Sequence, residues 1–216
     1  MSALIGHIDS LALEITNKAL DKLSQIAIIK VAKNGIILDD DLMGYFKMSK
    51  LKLYDYLAVM QTETGLYYKL TKHIRAKNVT LTFQGLYQYT DISKLMRQDL
   101  AKIASLIKDD CIYARLDMAF DNNKPFDVQN IAKTMGRYIK KVKNTIYLKA
   151  AKEKKTNQHL NIKHYKKFET VYRLEFVFLK RYLSGDNENI QKRLSKVFKK
   201  TLKQQFKAEG FLALIS

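Results

Sequence analysis

Between Ala114 and Asn122 the chain reads A-R-L-D-M-A-F-D-N, and no other segment restricts the fold as much. Side chains alternate faces along a strand with period 2. Leu116, Met118 and Phe120 therefore form an apolar stripe, while Arg115, Asp117, Ala119 and Asp121 share the opposite face. Buried carboxylates are costly unless paired or bound to metal, so the charged face is expected to line a cleft or to meet solvent. In a chain of formal net charge +18, two carboxylates on one patch suggest a place where a cation and an anionic substrate meet.

With 216 residues and 47% apolar content, the chain can bury one sizeable core, or two halves that share one. Thirteen tyrosines and ten phenylalanines without a tryptophan favour a sheet-rich fold. A single proline and eight glycines argue against disorder and against a turn-dense sandwich. No apolar run approaches the roughly 18 residues of a membrane span. Met1 to Asp9 lacks the basic-then-apolar order of a signal peptide, so a cytoplasmic protein with no membrane partner is expected. The lone Cys111 excludes an intrachain disulfide and a multi-cysteine zinc site, and reads as a buried, reduced thiol. The 39 Lys+Arg residues against 21 Asp+Glu steer the chain toward polyanions, nucleic acid first and anionic membrane second.

Along the chain, Ile5 to Ile15 reads as a strand, with His7 and Asp9 near its start. Leu20 to Ala32 has helical spacing and runs into Asn34-Gly35, a turn or helix stop. Tyr54 to Gln61 and Leu66 to Lys72 flank Thr62-Glu63-Thr64-Gly65 as a hairpin, and Asn78 to Leu86 is a further strand. Asp91 to Lys108 carries the clearest helical stripe. After the strand Ile112 to Asp121, Asp127 caps a helix expected to run to about Tyr138. Three strands (Asn144 to Lys149, His159 to Lys167, Val171 to Leu179) and a long basic helix, Asn187 to Phe206, complete the series.

The order strand, helix, three strands, helix thus occurs twice, over residues 1–108 and 109–207, before a tail at 208–216. The echo reaches single positions. H-I-D-S-L-A-L-E in one half corresponds to A-R-L-D-M-A-F-D in the other, and V-T-L-T-F to Y-R-L-E-F. The expected fold is α+β: a duplicated unit forming a curved, largely antiparallel sheet with helices on its outer face. The polar side then becomes a basic, concave saddle suited to a duplex or a single strand.

Val171 to Leu179 places Arg173 and Glu175 on one face, a setting like that of Asp117 and Asp121. Thr145, Tyr147 and Lys149 share a polar face, as do Lys163, Tyr165 and Lys167. Carboxylates, tyrosines and lysines on adjacent strands suit phosphoryl transfer with a tyrosine nucleophile. A divalent cation held by carboxylates would polarise the phosphate, and lysines or Arg173 would offset charge on its oxygens. Wet lysine-rich faces and ordinary strand tyrosines give the same pattern without chemistry.

The segments A-R-L-D-M-A-F-D, T-I-Y-L, I-K-H-Y-K-K and Y-R-L-E-F occur in this order between Ala114 and Phe176. In this the chain resembles the Rep_trans-type rolling-circle replication initiators of plasmids and phages, over about residues 78–180. The resemblance implies a duplicated, horseshoe-like catalytic sheet and a dimer that nicks one strand of a DNA origin through a phosphotyrosine adduct and later rejoins it. It also implies Mg²⁺ or Mn²⁺ and a host helicase as partner. Carried over by motif, Tyr147 is the expected nucleophile and Tyr165 the runner-up, with Arg173 and Lys167 beside them. Asp117, Glu175 and Asp121 are the expected metal ligands. Arg115, Lys149, Lys163, Arg193, Lys199 and Lys200 are the expected DNA contacts. The chain departs from the family after Tyr147, where Lys149, Ala150 and Ala151 replace the usual glycine and serine; glycine there would let backbone approach a phosphate closely. Two other readings compete: a non-catalytic DNA-binding regulator or architectural protein, and a structural protein of a virus or mobile element that packages nucleic acid.

Overall fold

The computed structural model describes residues 6–26, 28–32, 54–84, 94–150 and 159–202. Expectations for Asn34-Gly35, for the helix end at Phe206 and for the tail lie outside these residues. The chain divides into two compact units, Ser10–Ala114 with Leu214–Ser216, and Met1–Asp9 with Arg115–Ala213. The opening residues are therefore grouped with the second unit.

The first unit contains β1 (Gly6–Ile15) from Ser10 onward, α1 (Asn17–Ser24), β2 (Ile28–Ala32), β3 (Tyr54–Gln61), β4 (Tyr67–His73), β5 (Val79–Gln84) and α2 (Lys94–Ile107). Its strands lie in the order β2-β3-β4-β5-β1, each antiparallel to its neighbours. Leu11, Leu13 and Ile15 pair with Phe83, Leu81 and Val79, and all six are buried. Ala19 and Leu23 of α1 and Leu100, Ile103, Ala104 and Ile107 of α2 add to this core. Thr16 caps α1 by accepting from the Ala19 N–H, and Lys22 ties α1 to the chain beyond α2 through Asp110, 2.8 Å away.

The second unit contains β6 (Cys111–Asn122) from Arg115 onward, α3 (Val128–Met135), β7 (Arg137–Val142), β8 (Thr145–Ala150), β9 (Leu160–Phe168), β10 (Val171–Leu179) and α4 (Asn187–Leu202). Here the order is β7-β8-β9-β10-β6, again antiparallel. The even residues of β6 and β10 are its core, and α4 covers them. The Phe198 ring centroid lies 5.1, 5.2 and 5.8 Å from those of Phe120, Phe176 and Phe178. Gly6 fits beneath this cluster for lack of a side chain, because a Cβ there would sit 2.3 Å from the Phe120 ring.

Both units are mixtures of a multi-strand sheet and flanking helices, and two expected elements need correction. The helix expected over Leu20–Ala32 ends at Ser24, and Ile28–Ala32 is strand. Ile28, Ile29 and Val31 are β-branched, and their strand preference outweighs the helical spacing. The helix expected to reach Tyr138 stops at Met135, because Gly136 takes φ 62°, a left-handed C-terminal cap. Arg137–Val142 then forms a strand. Among the described residues each unit thus follows its first helix with four strands, not three.

The sequence echo coincides with the strand register. Glu14, Leu13, Ala12 and Leu11 pair with Thr80, Leu81, Thr82 and Phe83 in the first unit. Asp121, Phe120, Ala119 and Met118 pair with Arg173, Leu174, Glu175 and Phe176 in the second. Each pair occupies the matching places of the echoed segments, but threonines stand where the second unit has Arg173 and Glu175.

Candidate functional site

The second unit's charged face starts from period-2 geometry: with Phe120 and Phe176 under α4, Asp121, Arg173 and Glu175 point the other way. Cross-strand pairing then sets the rows. Tyr147 of β8 lies opposite Lys163 of β9, which lies opposite Glu175 of β10. Thr145, Tyr165, Arg173 and Asp121 form the next row. With strands about 4.8 Å apart, the Tyr147 and Glu175 backbones are about 10 Å apart.

Three clusters occupy this face. Arg115 grips Asp117 with both ends of its guanidinium, at 2.7 and 2.6 Å. Asp117 is 4% exposed, so of the two settings expected for this face it does not meet open solvent, and its neighbour on the same strand neutralises it. Their hydrogen bonds, and secondarily the charge of Asp117, raise the Arg115 pKa against the pull of burial. Glu175, 3% exposed, is held by Lys163 Nζ at 2.6 Å and by the Tyr165 hydroxyl, which donates to Oε2 at 3.1 Å. Burial first, and then the Glu175 charge, push the Tyr165 phenol up to about 12.

The third cluster surrounds Arg173, 4% exposed. Its Nε and Nη2 each donate to Asp121 at 2.7 Å, its Nη1 donates to Asp9 at 3.0 Å, and Nη2 also donates to His7 Nε2 at 3.2 Å. Arginine has no acceptor, so His7 Nε2 carries no proton in this contact. Burial chiefly, with the Arg173 charge behind it, lowers the His7 pKa. Burial works to raise the Asp121 carboxyl, but Arg173, Lys167 and His7 overcome it and hold it below the ordinary value. Burial likewise works against the Arg173 charge, and Asp121 and Asp9 more than offset it, so its pKa is raised. Lys167 Nζ stands 3.6 Å from Asp121.

These contacts bear on the expected divalent ion. Both Asp117 oxygens and both Asp121 oxygens are bound by guanidinium groups, and the two Glu175 oxygens by Lys163 and Tyr165. Among the described residues no group of three or more His, Cys, Asp or Glu could hold a metal ion. As arranged, each of these carboxylate oxygens meets a cation or a hydroxyl of the protein.

The remaining expected residues divide between the two sides of the sheet. Tyr147 and Lys149 lie on the charged side, with the Lys149 ammonium 5.0 Å from the Tyr147 ring centroid. Arg193, Lys199 and Lys200 belong to α4, the helix on the opposite, apolar side. Arg193 donates to the Ser184 carbonyl, clasping the loop before its own helix, while Lys199 and Lys200 are exposed. Cys111 is half-buried, and burial raises its thiol to about 11. Sequence reading placed His7 and Asp9 at a strand start without a role. Their H-I-D spacing puts both on one face, but only the packing shows which arginine they meet.

No protein-family model matches the chain, and no curated protein does at a significant level. Among solved structures it is similar to a rolling circle replication initiator protein from Geobacillus stearothermophilus. That similarity has a TM-score of 0.46 and 11% sequence identity, and it covers 99% of this chain and 96% of the other. Among the described residues, no helix is long and apolar enough to cross a membrane.

Proposed function

We propose that this chain is a DNA-binding replication initiator that cuts and rejoins one strand through a phosphotyrosine intermediate, its two units being diverged copies of one ancestor. The observation that carries the reading is the Tyr165 hydroxyl, 3.1 Å from a buried Glu175 carboxylate that Lys163 also holds. A nucleophile in contact with a base oriented by a third group is the arrangement covalent catalysis requires. With its phenol held up to about 12, Tyr165 is protonated near neutral pH and needs an acceptor at the moment of attack. In the proposed step the Tyr165 oxygen forms a bond to phosphorus while its proton moves to Glu175. The bond from phosphorus to the 3′ oxygen breaks, and that oxygen takes a proton from solvent. Lys163 and Lys167, each about one-third exposed, offset charge on the non-bridging oxygens. The sequence motif favoured Tyr147; the hydrogen bond to Glu175 supports Tyr165 in that role.

One observation favours a second reading, a non-catalytic DNA-binding protein. The carboxylates of all three clusters are already paired with cations, as in a structural ladder that holds β6, β9 and β10 in register. Incubation with supercoiled DNA, with Mn²⁺ and separately with EDTA, followed by denaturing electrophoresis, tests between them. The expected result is a covalent adduct that Tyr165→Phe abolishes and Tyr147→Phe retains, and that Glu175→Gln forms about 10²–10⁴-fold more slowly. An adduct lost with Tyr147→Phe and kept with Tyr165→Phe would return the role to Tyr147. DNA retention with no adduct under either condition would establish the second reading.

A further inference from the structure

We infer that the face of β7, β8 and β9 bearing Tyr138 and Tyr147 is a binding platform for single-stranded nucleic acid. Its geometry follows from register. Tyr138 pairs with Lys149 and Lys140 with Tyr147, and Tyr147 pairs with Lys163. Paired residues share a face, so Tyr138, Lys140, Tyr147, Lys149 and Lys163 lie together across three strands, with Val142 and Thr145 in the next row. Tyr138, Tyr147 and Tyr165 form a diagonal in which each step is about 7–8 Å. It ends at the hydroxyl bonded to Glu175.

Charge selects the occupant. Residues 137–150 include no carboxylate; Lys140 and Lys149 share the face of Tyr138 and Tyr147, while Arg137 is buried against the Leu148 carbonyl and Lys141, paired with Ile146, lies on the other face. Lys140 is exposed, and Tyr138 is 50% exposed although it is an aromatic side chain. Lysines beside accessible rings serve phosphates and bases together, because every base has a face that can stack. In a duplex those faces are covered by neighbouring pairs, so tyrosine rings discriminate in favour of a single strand. The platform deepens the strand-transfer reading by naming the substrate form delivered to Tyr165, but binding itself needs no chemistry.

The test is equilibrium binding of a fluorescein-labelled oligothymidylate by anisotropy in EDTA, beside a duplex of equal length. Tyr138→Ala is expected to weaken single-strand binding about tenfold, the contribution of one stacked base, with little effect on the duplex; Tyr138→Phe keeps it. Lys140→Ala should lower the salt slope by about 0.7, one single-strand phosphate contact. Tyr138 lies on the last strand of this unit's sheet, so light scattering accompanies each variant. Unchanged affinity in Tyr138→Ala and Lys140→Ala, or equal losses on duplex, would overturn the platform. So would conversion of a dimer to a monomer by Tyr138→Ala, which would assign the face to a second copy. Binding and adduct formation are read on the wild-type protein in separate assays. Binding intact with no adduct would therefore remove only the strand-transfer reading, while an adduct with Tyr138→Ala unimpaired would remove only the platform.

Discussion

Asp121→Asn removes one charge from the Arg173 cluster while keeping the volume of the side chain. Arg173 is 4% exposed, and Asp121 accepts two of its hydrogen bonds at 2.7 Å. Removing one partner of a buried ion pair costs about 3–5 kcal/mol, chiefly because the other charge is left uncompensated. Two features reduce that figure. The Asp121 side chain is 27% exposed, and Asp9 still accepts from Nη1 at 3.0 Å. Solvent screening and the remaining carboxylate bring the expected loss to about 2 kcal/mol, or about 4–8 °C in Tm for a chain of this size. The pH dependence has a definite sign. The folded Asp121 carboxyl lies below its ordinary value. Its stabilisation is therefore complete above the unfolded value of about 3.9 and is lost as pH falls through the folded one. Urea unfolding of both proteins should show a gap that is constant between about pH 7 and pH 5 and closes below about pH 4. A change of under about 1 °C at neutral pH, or a gap already closed at about pH 5, would refute this account of Arg173.

Other consequences are equally direct. Phe198→Ala empties the centre of the Phe120, Phe176 and Phe178 cluster and should cost about 3–5 kcal/mol in denaturant unfolding; a loss below about 1 kcal/mol would mean that α4 does not cover this sheet. Gly6→Ala drives a methyl group into the Phe120 ring, which Phe176 and Phe198 confine. An overpacking loss of about 1–3 kcal/mol is expected, and wild-type stability would show that the ring is free to move. His7 and His164 should both titrate below 6.5 in proton NMR, since burial lowers each. The unfolded chain then binds more protons, so their contribution to stability is complete above about 6.5 and declines as pH falls through the folded values. A titration of either above 6.5 would contradict its burial.

Much of the site was legible before any coordinates, because a strand's period is local. The alternation in A-R-L-D-M-A-F-D puts Asp117 and Asp121 on one face whatever surrounds it, and Y-R-L-E-F does the same for Arg173 and Glu175. The echo between halves even anticipates register: Asp121 meets Arg173 where Glu14 meets Thr80. Local pattern was less secure where two periodicities compete, as in Leu20–Ala32, whose apolar spacing reads as helix while its β-branched residues form β2. Gly136 was readable as a stop, yet the strand after it has few buried residues to mark it.

What the amino-acid order could not supply was partnership. A carboxylate on a wet face and one sealed beneath an arginine look alike in one dimension, since burial and pairing arise from strands far apart along the chain. Arg173 meets Asp9 across 164 positions and Asp121 across 52. Packing likewise sets both Lys163 and the Tyr165 hydroxyl against Glu175. Composition and periodicity established a basic α+β chain with a charged sheet face. Packing between strands gave Arg173 and Glu175 their partners, while Asp117 found Arg115 on its own strand, because the low-dielectric interior requires a buried ion to be paired.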